Sequence, residues 1–154
     1  MFPKIMINIL GKLLPMNIFI DTGAFYALAD NNDKFHQKAA NYYSDAYRPE
    51  LFMTSNLVFS ESWTLIHHKL GNHAGRKFWE KIHSGIIDLI FLNPIDLERA
   101  WDIFNKYNDQ DFSLVDCTSF AIMERLNISE AFTFDYHFSI YRTKNEQAFI
   151  CNPS

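Results

Sequence analysis

The chain has 154 residues and a mass of 18.1 kDa, which suits one domain and leaves little room for two. Hydrophobic residues at 48% and charged residues at 21% exclude a disordered chain, and no run nears the ~20 apolar residues of a membrane-spanning helix. The net charge of −4, from 14 Lys and Arg against 18 Asp and Glu, excludes a global positive field that would draw in nucleic acid.

Residues 1–16 (MFPKIMINILGKLLPM) stand apart from the remainder of the chain. Asn8 and Gly11-Lys12 interrupt the apolar run, and no small-residue cleavage site comes after it, so a secretory signal is not expected. The segment reads as an N-terminal extension, with Met16 an alternative start, ahead of a single domain over 17–154. Ile18-Phe19-Ile20 is a short β-favouring run that ends at Asp21, and being apolar on both faces it suits a strand buried in a parallel sheet. Residues 24–47 read as helical with a break near Asn31-Asn32, and 51–53 as a second strand. Ser55 or Asn56 caps a helix that Gly71-Asn72 stops near residue 70, and another helix covers 73–83.

Ile86 to Leu92 is the third strand, followed by Asn93-Pro94 as an N-cap with proline at the first helical position. Leu97, Ala100, Trp101, Phe104 and Tyr107 then recur at helical spacing and mark the expected buried face. Residues 108–111 form a polar loop, and Ser113 opens a helix as a capping-box residue with Asp116 as the fourth member. Strands over 131–134 and 148–151 complete the order. Strands alternating with helices predict an α/β fold, a three-layer α/β/α sandwich around a central, mostly parallel sheet.

Four carboxylates fit this frame poorly as plain surface residues. Ligands of open α/β sheets bind beyond the carboxyl ends of the strands, where Asp21 and Asp135 both fall. Glu61 lies three residues after Val58 and four before Leu65, on the expected core-facing stripe of its helix, and there it needs an ion-pair partner such as His68 or a cation. Asp116 in a first helical turn is an ordinary capping acid that can also face the crevice at the sheet edge. If the four converge, each pair at 4 Å costs ~4 kcal/mol at an effective dielectric near 20. A divalent cation removes that conflict. Oxygen donors without a Cys or paired-His motif favour Mg²⁺ or Mn²⁺ over zinc, and such a site suits activation of water against a phosphodiester.

The two cysteines, Cys117 and Cys151, are too few for a disulfide scaffold and read as reduced thiols of a cytoplasmic protein. His36, His67, His68 and His137 form no metal-ligand pattern and read as packing residues. Phe25, Tyr26, Tyr42, Tyr43 and Trp63 are assigned to a core or a dimer interface ahead of base stacking. Setting the four acids aside leaves 14 acidic against 14 basic residues, so phosphate contacts must come from local patches. The candidates are Lys69, Arg76, Lys77 and Lys81 around one helix, with Arg142 and Lys144 after Asp135.

The stretches IFIDTGAFYAL (18–28), VFSESW (58–63), FSLVDCTSFAIMERL (112–126) and AFTFDYHF (131–138) resemble the PIN-domain nucleases, and among them the VapC-like toxins of bacterial toxin–antitoxin pairs. That resemblance implies a metal-dependent endoribonuclease using Mg²⁺ or Mn²⁺, with Asp21, Glu61, Asp116 and Asp135 as the acidic quartet. Asp21 and Asp116 are then the first expected ligands. Thr22, Ser113 and Thr133 match supporting polar residues, and Asp109 or Asp111 adds an outer carboxylate. An RNA substrate, a small antitoxin partner and a homodimer are likewise implied. A metal-activated hydroxide would leave a 5′-phosphate and a 3′-hydroxyl. The alternatives are a PIN-fold module that binds RNA or protein without cutting, a housekeeping RNA-processing nuclease, and a phosphoryl-transfer or receiver domain. The last is disfavoured because Gly23 stands where a phosphatase of that type needs its second Asp.

Overall fold

The computed structural model describes residues 16–45 and 51–154, together with the backbone of two short strands in the extension, β1 (Ile5–Ile7) and β2 (Leu13–Pro15). These two pair antiparallel, and the rest of residues 1–15 lies outside the described part, as do residues 46 and 47 of the expected second helix. From Ile18 onward strand and helix alternate: β3 (Ile18–Ile20), α1 (Thr22–Ala29), α2 (His36–Ser44), β4 (Phe52–Ser55), α3 (Asn56–Leu70), α4 (Asn72–His83) and β5 (Asp88–Ile90). The second half continues with α5 (Pro94–Lys106), α6 (Leu114–Arg125), β6 (Glu130–Phe132), α7 (His137–Ile140) and β7 (Ile150–Asn152).

The last five strands form one sheet in the order β5-β4-β3-β6-β7, with every neighbouring pair parallel. Parallel neighbours need crossover connections, and the helices that supply them cover the sheet as the outer layers of an α/β/α sandwich. The strands are accordingly apolar on both faces: Phe19, Ile20, Phe52, Ala131 and Phe132 are all fully buried. Phe120, Phe138 and Tyr141 extend the core through the second half, Phe120 stacking on Tyr141 at 4.5 Å.

The helix boundaries obey their local signals. Ser55 Oγ accepts from the Val58 amide at 3.0 Å to start α3, and Gly71, at φ 89°, ends it in a conformation that favours glycine. Asn93 with Asp96, and Ser113 with Asp116, each make both hydrogen bonds of a capping box. No helix among the described residues is long and apolar enough to cross a membrane.

Two expected faces are rotated. On α5, Leu97, Trp101 and Phe104 are exposed, while Asp96, Ala100 and Ile103 are buried. Small Ala100 lets α5 lie close to α6, and two ion pairs fix the rotation. Arg125 grips Asp96 with two bonds of 2.7 and 2.9 Å, and Arg99 pairs with Glu124 at 3.2 Å. On α3 the inward stripe is Val58, Ser62 and Ile66, so Glu61 is exposed and does not occupy the core-facing position expected of it. The i, i+4, i+8 stripe wins because Ser62 donates to the Thr22 hydroxyl at 3.2 Å and locks α3 against α1.

Asp96 is 2% exposed and carries both the α5 cap and the Arg125 pair. Asp96→Ala should therefore destabilise the fold by about 2–4 kcal/mol in urea unfolding, since it removes a cap and strands a guanidinium. A loss below about 0.5 kcal/mol would mean that the pair is a solvated surface contact.

Candidate active site

The strand order reverses beside β3: β4 and β5 extend the sheet to one side, β6 and β7 to the other. At such a switch point the loops leaving adjacent strands diverge and open a crevice. Ile20 is in register with Phe132, and the Asp21 amide donates to the Phe132 carbonyl at 3.0 Å. The residues after β3 and β6 are thereby forced together. Thr133 and Asp135 stand beside Asp21.

Thr133 joins these segments through one hydroxyl. It donates to Asp21 Oδ2 at 3.2 Å and accepts from the Asp135 amide at 3.0 Å. Asp116 arrives from the first turn of α6. Its Oδ2 accepts from the Ser113 amide at 3.0 Å, as the capping box requires, and also faces His137 Nδ1 at 3.0 Å. Asp135 Oδ1 accepts from the His137 amide at 2.9 Å and lies 3.4 Å from the same Nδ1. One ligand atom from each of Asp116, Asp135 and His137 thus falls within 4.8 Å of the others.

Asp21 is 5% exposed, and its carboxyl is pushed up to about 7. Burial is the main cause, and the charges of Asp116 and Asp135 add to it. A hydrogen bond from the Thr22 backbone and the one from Thr133 pull the other way without cancelling it. Raising this carboxyl from 3.8 to about 7 corresponds to a native state weakened on the order of 4 kcal/mol once Asp21 is ionised.

A cation would find a suitable donor set. Oδ1 of Asp116 and Oδ2 of Asp135 take no hydrogen bond among the described residues, and neither is a sealed, unpartnered atom. The donors are hard oxygens with at most one imidazole nitrogen, which fits Mg²⁺ or Mn²⁺. Burial holds the Cys117 thiol up at about 11, so that sulfur offers no thiolate near neutral pH.

The remaining candidates spread outward. Thr22 is buried and bonded to Ser62, which ties α1 to α3 behind Asp21. Glu61 is the residue before Ser62 and makes no hydrogen bond or ion pair among the described residues, with His68 or any other group. Asp109 and Asp111 are both exposed; Asp109 accepts from Gln110 at 3.3 Å, and neither bonds to the central acids. Lys69, Arg76, Lys77 and Lys81 are exposed around α3 and α4. There an open groove of about 320 Å³ is lined by Trp63, His67, Asn72, Arg76, Trp79 and Glu80. Lys144 is exposed, but Arg142 is largely spent inside the fold, since its Nη1 donates to the carbonyls of Ser139, Ile140 and Tyr141 at 2.7–3.1 Å.

His137 is the residue that sequence patterns assign to packing and that the structure places among the acids. Its signal is the spacing Asp135-x-His137, which lets an aspartate at a strand end cap the next turn and hold the histidine ring beside itself. His36 does pack, its Nδ1 lying 2.7 Å from the Ala27 carbonyl.

The family model described as PIN domain matches residues 18–144. The 23S rRNA-specific endonuclease VapC20 of Mycobacterium tuberculosis, in strains CDC 1551 and H37Rv, is 33% identical over 122 residues, or 79% of this chain and 92% of that protein. The crystal structure of Mycobacterium tuberculosis VapC20, described as a sarcin-ricin loop cleaving toxin, matches with a TM-score of 0.76 at 31% identity. That match covers 80% of this chain and 94% of that one. A toxin-antitoxin complex from Klebsiella pneumoniae shares the fold, with a TM-score of 0.60 at 16% identity over 78% of this chain and 88% of that one.

The raised Asp21 carboxyl dictates a pH dependence. A carboxyl with a folded pKa above its unfolded one binds more protons when native, so metal-free stability should fall from about pH 4 to pH 7 on its account and then level off. Asp21→Asn should remove this component and raise the metal-free melting temperature at pH 8. Calorimetry showing equal or lower stability for the variant at that pH would contradict the burial cost assigned to Asp21.

Proposed function

The chain belongs to the PIN-domain family, and on that footing we propose that it is a metal-dependent endoribonuclease, the toxin of a toxin–antitoxin pair acting in the cytoplasm. The observation that carries this reading is the meeting of Asp21, Asp116 and Asp135 at the sheet's switch point, around free carboxylate oxygens. The relative with 33% identity is itself an endonuclease specific for 23S rRNA, which makes structured ribosomal RNA the first substrate to test.

In this reading Asp21, Asp116 and Asp135 would hold Mg²⁺ or Mn²⁺, with Glu61, exposed on α3 next to Ser62, as the fourth acid of the set. A divalent cation there would supply Lewis acidity toward water and offset the phosphate charge. The chain's own residues do the rest. Asp21 is kept low in solvent, so its charge acts in a weakly screened setting. Thr133 and the Ser113 cap hold Asp21 and Asp116 in register, so little reorganisation is left for the reacting state. Lys69, Arg76, Lys77 and Lys81 provide phosphate contacts that the neutral remainder of the surface lacks. Arg142 contributes less, with Nη1 already committed. Thr22 supports Asp21 from behind, and Asp109 and Asp111 stay outside the shell.

Two protein partners complete the proposal. A small antitoxin restrains the nuclease, as the toxin-antitoxin complex that shares this fold illustrates for its own chains. A second copy of the chain is supported by the exposed stripe of Leu97, Trp101 and Phe104 on α5. Trp101→Glu should then shift the chain from dimer to monomer in analytical ultracentrifugation, and a wild type that sediments as a monomer would remove the dimer from this picture.

Mn²⁺-supported cleavage of ribosomal RNA should fall at least about a hundredfold in Asp21→Asn and in Asp116→Asn, with folding intact by circular dichroism. Products should carry a 5′-phosphate and a 3′-hydroxyl. Equal activity in all three proteins would identify a contaminant. A 2′,3′-cyclic phosphate would exclude water as the nucleophile. Binding without cutting would favour the non-catalytic PIN module.

A further inference from the structure

We propose that His137 is a positioning residue of the acidic centre: it carries its proton on Nδ1 and donates it to Asp116 Oδ2, while its backbone amide holds Asp135 Oδ1, and so leaves Asp116 Oδ1 and Asp135 Oδ2 to the cation. The inference rests on the metal-dependent reading above and adds a residue outside the expected quartet.

The imidazole has two possible uses here, and its far nitrogen decides between them. Nδ1 lies 3.0 Å from Asp116 Oδ2 and 3.4 Å from Asp135 Oδ1, close enough to serve as a third ligand beside the two acids. A histidine that ligates a metal through one nitrogen ordinarily donates the N–H of the other to a carboxylate, a carbonyl or water. Nε2 of His137 has no such acceptor, and it is the one buried side-chain nitrogen or oxygen among the described residues without a hydrogen-bond partner. Ligation through Nδ1 would force the proton onto Nε2 and strand a buried N–H donor.

The opposite tautomer strands no N–H. With the proton on Nδ1, Nε2 is left with a buried lone pair, and Asp116 Oδ2 receives a donor in place of a facing lone pair. The ring is also aimed from several sides. The His137 amide donates to Asp135 Oδ1 at 2.9 Å, and the Tyr136 and Phe112 rings flank the imidazole at 4.5 and 5.1 Å. With the Ser113 amide, Asp116 Oδ2 then has two donors, and its rotation is fixed with Oδ1 outward.

The test uses the full chain, with His137→Asn and His137→Leu as variants. The Asn side-chain amide can donate from near the Nδ1 position, and Leu cannot. Two-bond ¹H–¹⁵N correlation spectra of metal-free wild type near pH 8 should show His137 protonated on Nδ1 alone. Pulsed EPR of the Mn²⁺-loaded protein should show no directly bonded ¹⁴N. Mn²⁺ affinity should fall about tenfold or more in His137→Leu and stay near wild type in His137→Asn, with both variants folded by circular dichroism. An Nε2–H tautomer, or a ¹⁴N coupling lost on substitution, would overturn the assignment in favour of a ligand. Undiminished Mn²⁺ affinity in His137→Leu would overturn the positioning role while leaving the metal-dependent reading intact. Wild type that binds no Mn²⁺ at all would overturn both.

Discussion

A buried carboxyl within reach of the charges of two others is the constraint on which this site depends. Asp21 gains little from its surroundings when metal is absent: burial and two neighbouring charges both disfavour its ionised form. The fold tolerates this because β3 and β6 pair along their whole length behind it, with Phe19, Ile20, Ala131 and Phe132 sealed from water. The electrostatic cost at the carboxyl ends of β3 and β6 is therefore offset by the apolar burial of the strands behind it.

The three acids are not treated alike. Asp116 sits in the first turn of α6, where backbone amides face it and a reciprocal cap fixes one oxygen. Asp135 closes a local turn onto the His137 amide. Asp21 is the N-cap of α1, yet its side chain makes no capping bond, and among the described side chains only Thr133 donates to it. Asp116 and Asp135 each take a backbone hydrogen bond at one oxygen, whereas Asp21, despite the Thr22 backbone bond, is left costly to ionise by burial. The asymmetry concentrates the centre's demand for positive charge on a single buried residue.

Much of this was legible in the sequence, for reasons that can be named residue by residue. Apolar runs ending in aspartate located β3 and the segment after β6, because a fully buried parallel strand has no polar face to blur the pattern. The N-caps at Asn93 and Ser113, and the choice of Ser55 or Asn56 that the structure gives to Ser55, were legible because capping is a short-range hydrogen bond between residues three apart. Helix rotation was not. Glu61 and Ser62 differ by only ~100° around α3, and the choice between them is made by Thr22, forty residues away. On α5 the apolar pattern pointed to Leu97 and Trp101, whereas the ion pairs to Arg125 and Glu124, which no local pattern encodes, turned Asp96 and Ala100 inward.

His137 shows the same limit from the other side. A histidine two residues beyond an acid carries no metal-ligand signature by itself, and its meaning comes from Asp116, which reaches it from a different helix. Once the two acids are placed, the ring has a fixed task in either use of Nδ1, because that nitrogen faces Asp116 Oδ2 at 3.0 Å and Asp135 Oδ1 at 3.4 Å. Nε2 then decides which use the fold permits. A ligand histidine is usually built with its second nitrogen satisfied; here that nitrogen is buried with no partner among the described residues. The burial of Nε2, more than the acids that Nδ1 touches, determines where the ring's proton sits, and on Nδ1 that proton reinforces the hold that the Ser113 amide has on Asp116 Oδ2.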